Sequence, residues 1–491
     1  MIDASHRRPR STFGSPGRSV RENAAAIAIS QFGSKTLGFV VVLVLTRAYS
    51  LEDYGRFALA TTIAGFLLPA LDLGTDPYLT RIMARDGTGA GRWLGAALLL
   101  KTASLMILLP VAVLIASGSG MPPSMVGLVA WAILGAGAAA VMGSFGAVFR
   151  ARYRMDLEAA VTLAGRVLIL IGCVIPALLG LEIVAAGAGM AAGSVVTLGI
   201  ALIVTSRNNL RPAYRGALSK WRDLVVGGFP FALTAVMVTM YFRIATLMLA
   251  HLRGERSVGL YSANVNLAFT VLLLSQAIVT AVFPIVAQSG SLAEPALRPL
   301  LRRATTISLA LSLPLAIGTA AVAPSLLTLL YGPSYAQGAT SLRLLMGAVP
   351  VLFLTNLLGH CLAALGRQPV VLLVAIGNAV FNLALNLWLI PRFDYAGASV
   401  ATWITEFAGL VSFTLILWPY RSAFVDRRSL ATVLGANAVL AAGLIAARGL
   451  PLPATVGVGA ALYMAALLAT GVFRISDLAH LPAHSAARGD G

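Results

Sequence analysis

The chain has 491 residues, 58% of them hydrophobic and only 11% charged, with a mean hydropathy of +0.87. Soluble globular chains carry about 25% charged residues, so that class is excluded. Apolar runs of about 20 residues recur from end to end and predict an all-α polytopic membrane protein, not an outer-membrane barrel with its alternating strands. The net charge of +18 follows from the positive-inside rule rather than from nucleic acid, which is not an expected partner.

Fourteen spans are predicted: 22–47, 56–80, 94–117, 124–149, 159–180, 184–205, 225–250, 258–287, 302–323, 341–365, 369–390, 396–419, 430–447 and 454–473. Residues 1–21 read as a disordered cytoplasmic tail. With that end inside, the cytoplasmic segments carry 25 Lys and Arg and the opposite loops 6. This asymmetry fixes the orientation and puts both termini in the cytoplasm.

The first span sets the theme. Gln31, Ser34 and Lys35 share one face of it, and Val, Leu and Phe occupy the other. An ammonium near mid-bilayer costs roughly 2.5–3.5 kcal/mol on insertion scales and needs a wet or paired environment. Five basic residues fall inside spans: Lys35, Lys101, Arg166, Arg243 and Arg343. Lys101 and Arg343 lie near helix ends, where snorkelling to headgroups is the plain reading. Lys35, Arg166 and Arg243 lie deeper, and a polar cavity is the better reading.

Intramembrane acids are Asp72 and Asp76, four apart in the second span, and Glu406 in the twelfth. They read either as partners for the buried bases or as ion-coupling groups. For Asp76 an interfacial pair with Arg81 or Arg85 is favoured, while Asp72 and Glu406 stay open to both roles. Glu52-Asp53 caps the second span at its positive dipole end. Tyr331-Gly332-Pro333-Ser334-Tyr335 reads as a turn at the outer surface with aromatics in the interface belt. Cys173 and Cys361 lie in apolar runs, with no disulfide framework, and no metal or cofactor is expected. No HExxH, GxSxG or phosphate loop occurs, so the chain is not read as an enzyme.

An internal repeat organises the chain. Residues 52–60, EDYGRFALA, resemble 256–264, RSVGLYSAN, at an offset of 204, and Leu109-Pro110 matches Leu313-Pro314 at the same offset. Two six-helix lobes follow, 22–205 and 225–419, joined by a basic cytoplasmic linker at 206–224. Residues 420–474 add two helices expected to pack on the outside. Residues 475–491 form a cytoplasmic tail in which His480 and His484 are solvated.

Asn23, Gln31, Lys35, Arg47 and Asp53-Tyr54-Gly55, with Leu71-Asp72-Leu73-Gly74, Arg81 and Ala84-Arg85, resemble the polysaccharide and oligosaccharide (O-antigen-type) flippases. These belong to the multidrug/oligosaccharidyl-lipid/polysaccharide exporter superfamily. The stretch Tyr331–Ala336 resembles that family's outer turn. The resemblance covers about residues 20–420. It implies two lobes around a central cavity, and flipping of a polyprenyl (undecaprenyl) pyrophosphate-linked oligosaccharide across the bacterial inner membrane. Substrate-binding candidates are Lys35, Arg166 and Arg243, then Lys101 and Gln31. Asp72 and Glu406 are the ion-coupling candidates. The resemblance also implies a polysaccharide polymerase or chain-length regulator as partner, besides membrane lipids. Drug/proton antiport is disfavoured because buried bases outnumber buried acids. A peptidoglycan lipid-precursor flippase ranks second, since the eighth span has no basic residue, and a membrane glycosyltransferase or polymerase is the third reading.

Overall fold

A computed structural model describes residues 20–85, 89–208, 211–447 and 449–470. Most of both predicted tails, with His480 and His484, lies outside the described residues. Among those described there is no strand, and thirteen helices are long and apolar enough to cross a membrane. The chain divides into two compact units, 1–263 and 264–491.

The first unit holds α1 (Val20–Ala48), α2 (Leu51–Asp72), α3 (Thr75–Arg85), α4 (Ala90–Gly118), α5 (Pro123–Ala151), α6 (Met155–Leu178), α7 (Ile183–Arg207), α8 (Trp221–Arg253) and the start of α9 (Glu255–Thr270). Its core gathers Leu79, Leu94, Phe145, Phe149 and Leu224 around α5. Small residues let the helices meet backbone to backbone. A Cβ on Gly172 would lie 2.2 Å from the Gly189 carbonyl oxygen, and one on Gly189 1.8 Å from that of Gly172. Thus α6 and α7 are joined at a glycine-on-glycine crossing.

The segment after α7 also belongs to this unit. Ala213 N donates to Gly91 O at 2.7 Å, and Trp221 Nε1 donates to Ala96 O at 3.1 Å. Further on, α8 packs against α2 and α3, where a Cβ on Gly228 would meet Leu73 O at 2.5 Å. The division between compact units therefore falls well after the basic segment 206–224, because glycine crossings bind that segment and α8 to α2–α4.

Glu52 and Asp53 lie in the first turn of α2, but the capping residue is Ser50, which accepts from Asp53 N at 3.1 Å, and Arg56 pairs with Asp53 at 3.1 Å. The repeat has a counterpart here. A Cβ on Gly55 would lie 1.9 Å from Glu255 O, and one on Gly259 2.4 Å from Leu51 O. Gly259 stands 204 residues after Gly55, and Glu255 204 after Leu51, so the crossing is symmetric under the offset seen in the sequence. Arg56 Nε closes it with a 2.6 Å bond to Glu255.

The second unit holds the rest of α9, α10 (Leu272–Ser289), α11 (Arg298–Ala321), α12 (Ala323–Tyr331), α13 (Ala339–Ala364), α14 (Gln368–Ile416), α15 (Arg421–Phe424), α16 (Arg427–Ala446) and α17 (Leu452–Thr470). Its main core includes Val286, Leu301, Leu357, Phe413 and Phe424. At 1.5 Å per residue α14 would run about 74 Å, more than twice a hydrocarbon core of about 30 Å. It is two helices joined at Asp394 (φ 55, ψ −140). They fold back as a hairpin: Asn382 Nδ2 donates to Thr405 Oγ1 at 3.1 Å, and Gly397 faces the Leu389 carbonyl. Counting α14 as two crossings reconciles thirteen long helices with about fourteen spans.

The last two helices pack on α11, where Tyr463 Oη donates to Ala310 O at 2.7 Å. Asp426 caps α16, accepting from Ser429 N and Oγ. These bonds hold its carboxyl below the usual aspartate range. The Tyr331 turn departs from expectation. Tyr331 and Tyr335 are 1% and 2% exposed, with ring centroids 5.5 Å apart. The 3₁₀ turn Pro333–Gly338 folds both rings inward, so they are core residues and not an interface belt.

Gly55→Ala should lower stability by about 1–3 kcal/mol, the usual range for overpacking. Gly377, in α14 with nothing within 4 Å of its would-be Cβ, is the control, and Gly377→Ala should be neutral or slightly stabilising. Thermal melts of the detergent-solubilised variants check the contrast; equal melting points would refute it.

Candidate functional site: a level of open cations beside a sealed one

In the first unit α1 and α6 lie side by side and parallel. Asn23 Nδ2 donates to Tyr153 O at 3.0 Å, and a Cβ on Gly33 would meet Leu163 Cδ2 at 2.6 Å. Both contacts join residues 130 apart, and that register places Lys35 level with Arg166. On α6 the exposed apolar stripe is Val167, Ile171, Ile175 and Leu178. Arg166 is exposed too, but at 100° per residue it falls off that stripe. On α1 the exposed arc divides in the same way: Ala28, Gln31 and Lys35 on one flank, Ile29 and Phe32 on the other.

Arg243 of α8 reaches the same depth from another side. Its guanidinium lies against Gly65 of α2, where a Cβ would stand 2.8 Å from Cζ, and its Nη1 donates to Thr61 O at 3.4 Å. Thr61 and Gly65 follow the turn at Tyr49–Ser50 by about as many residues as Lys35 precedes it. That is about 14 residues, or ~21 Å of helix. Lys35, Arg166 and Arg243 thus share one membrane level. Lys35 and Arg166 have no ion-pair or hydrogen-bond partner among the described residues, and Arg243 contacts a carbonyl rather than an acid. Gly65 was not foreseen: only the contact shows that a missing side chain seats the guanidinium.

Lys101 is different, and its reading as a snorkelling or substrate-binding residue is corrected. Its side chain is 0% exposed and bridges Asp72 Oδ1 at 2.6 Å and Asp76 Oδ1 at 2.5 Å. Its ammonium donates to Asp76 Oδ1 and to Ala140 O at 2.7 Å, while Asp72 is held by charge rather than by an aligned hydrogen bond. Asp76 therefore pairs with Lys101, not with Arg81 or Arg85. The reason is the break at Leu73 (φ 55) and Gly74 (φ 65), which turns both acids toward α4 and α5. Gly143 leaves room for Asp76, whose Oδ2 would stand 2.1 Å from a Cβ there, and Ser144 Oγ lies 3.4 Å from Oδ1. Beyond them Arg150 pairs with Glu158.

Arg343 donates Nε to Ala320 O at 3.1 Å, satisfying a carbonyl in the last turn of α11. Glu406 belongs to the other unit from Asp72. It is 3% exposed and follows Thr405, beside an asparagine row that the sequence reading missed. Asn378 sits against Gly409, and Asn386 Nδ2 donates to Asn382 Oδ1 at 2.8 Å. Their spacing of four within an apolar span was the available signal. Among the described residues no group of acids, histidines and cysteines could hold a metal.

Thirteen helices long and apolar enough to cross a membrane define a multi-pass membrane protein. Comparison with known proteins narrows this. A family described as "Polysaccharide biosynthesis protein" matches residues 20–289, more than half of the chain, which therefore belongs to that family, within the multidrug/oligosaccharidyl-lipid/polysaccharide exporter superfamily. The MatE family matches 230–388. A curated relative, "Probable low-salt glycan biosynthesis flippase Agl15" of Haloferax volcanii, is 26% identical over 230 residues, 45% of this chain and 47% of that protein. The match thus spans about half of the relative's length. Among solved structures, "Lipid II flippase MurJ, inward closed conformation" aligns with a TM-score of 0.76 at 11% identity, covering 89% of this chain and 97% of that one. An inward-facing multidrug resistance MATE family transporter of the MOP superfamily aligns at 0.61 and 16% identity, covering 81% and 99%. These likenesses establish the fold.

The two kinds of cation predict opposite outcomes. Lys101→Met leaves two buried carboxylates without a counter-charge and should destabilise by about 3–5 kcal/mol. Lys35→Ala and Arg166→Ala remove exposed, unpaired groups and should stay within about 0.5 kcal/mol of the parent. Melting curves of the three purified variants decide, and a Lys101→Met protein as stable as the parent would refute the sealed-clasp assignment.

Proposed function

We propose that this protein is a flippase that moves a polyprenyl (undecaprenyl) pyrophosphate-linked oligosaccharide across the bacterial inner membrane for surface polysaccharide synthesis. The observation that carries the reading is the shared level of Lys35, Arg166 and Arg243. Exposed cations without acid partners at mid-helix need water or an anion, and a pyrophosphate supplies two phosphoryl groups to meet them. Gln31, one turn from Lys35 on the same flank, adds a donor for phosphate or sugar hydroxyl. The prenyl tail can stay in lipid, so the protein need enclose only the head.

In this reading the repeats 22–205 and 225–419 act as two lobes that alternate access to the head from either side, with both termini in the cytoplasm as the Lys and Arg distribution favours. Family membership and the name of the Haloferax volcanii relative support glycan-lipid transport over drug efflux. A polysaccharide polymerase or chain-length regulator is the partner class this role would call for.

Flipping of a panel of fluorescent polyprenyl-linked glycans in reconstituted vesicles tests the proposal. Lys35→Ala and Arg243→Ala should each slow flipping about tenfold or more, the loss of one charge-assisted bond to phosphate, with membrane insertion unchanged. Parental rates in both variants would overturn the site. Activity confined to peptidoglycan precursors would overturn the substrate, and glycosyl transfer without flipping would overturn the transport reading.

A further inference from the structure

The Lys101 clasp is outside the open cation level, and its charge does not balance. Asp72 and Asp76 bring two negative charges and Lys101 one positive. The next groups outward, Arg150 of α5 and Glu158 of α6, neutralise each other. On α8, the backbone of Gly228 and Ala232 lies against Leu73 and Gly74, and Gly227 lies against Tyr78. One surplus negative charge is therefore left beside a lysine with no exposure. The carboxylate side chains keep 22% and 19% exposure while the ammonium has none.

The location gives this imbalance a mechanical consequence. Asp72 ends α2 and Asp76 opens α3, so Lys101 ties the two sides of the break together. Leu73 there holds a left-handed φ of 55, a conformation disfavoured for a side-chain-bearing residue. The other side of the break lies on α8, with a Cβ on Gly74 only 2.2 Å from Gly228 O. The same α8 carries Arg243.

We propose that Asp72, Asp76 and Lys101 form a proton-exchange site that sets how tightly the α2–α3 break packs on α8. A proton from water adds to one of the carboxylates and makes the cluster neutral, and nothing else is consumed. A neutral cluster tolerates a dry interior, whereas the unprotonated cluster draws in water and loosens the break. Through α8 the protonation state is passed to Arg243. This deepens the flippase reading, on which its use for coupling transport to a proton gradient rests. The exchange site itself needs no substrate to be detected.

Hydrogen–deuterium exchange of the full chain in lipid nanodiscs, corrected for intrinsic pH dependence, tests it at pH 5.5 and pH 8. Segments 66–85 and 221–232 should be protected about tenfold more at the lower pH, the factor for one proton-linked pH unit. Asp72→Asn and Asp76→Asn each make the cluster neutral and should keep the higher protection at both pH values. The proposal is overturned if the parent shows no pH difference in these segments, or if either variant that folds retains it. It is also overturned if α16 and α17 shift equally, or if sodium at constant pH reproduces the change. A parent that passes this test yet moves no glycan lipid would instead sink the flippase reading alone.

Discussion

A formal charge inside a bilayer must be matched by an opposite charge or reached by water, and the first unit of this protein holds intramembrane cations both with and without acid partners. Lys101 takes the first. Its ammonium lies between two carboxylates and a carbonyl, and it is wholly covered. Lys35 and Arg166 take the second, standing exposed without acids beside them. The same residue class therefore serves structure in one place and stays without an acid partner in the other. What separates the two is the company on neighbouring helices. Two acids, one of them seated on Gly143, face Lys101, whereas Lys35 and Arg166 have no acid partner among the described residues.

Glycine supplies the second constraint. Without a hydrophobic drive between helices in lipid, close backbone approach carries much of the association. The α6–α7 crossing at Gly172 and Gly189, the α2–α9 crossing at Gly55 and Gly259, and the Gly74–Gly228 contact all leave no room for a methyl group. The α2–α9 crossing has the further property that each partner maps on the other by the repeat offset. The compact first unit then extends beyond the repeat boundary because that crossing ties α9 back to α2.

Much of this was legible in the sequence. Span number, the Ser50–Asp53 region as a helix start, the polar flank of α1 and the list of intramembrane bases all follow from hydropathy, periodicity and charge counts. The failures share one cause: partner choice depends on tertiary register. Asp76 is four residues from Asp72 and five from Arg81, so local spacing favoured a surface pair. The left-handed turn at Leu73–Gly74 instead directs it to Lys101, 25 residues on. Tyr331 and Tyr335 have the composition of an interface belt, but a 3₁₀ turn that no simple period encodes buries them. The seat of Arg243 on Gly65 is invisible to any one-dimensional reading, since the signal is a side chain that is not there.

The register of the open cations bears on what they would bind. Three positive groups at a single depth, on α1, α6 and α8, make a plane rather than a path. A permeating ion is better served by sites spaced along its route, and a cationic drug would be repelled. Because Arg243 leans on α2 through a backbone carbonyl and a glycine, any shift of α8 against α2 would change its distance from Lys35 and Arg166. Affinity for a bulky anion would then depend on how α2 and α8 are packed. That packing is also what the Lys101 clasp braces, at the break in the next turns of the same helix. The sealed cation and the open ones are in this sense two ends of one mechanical element.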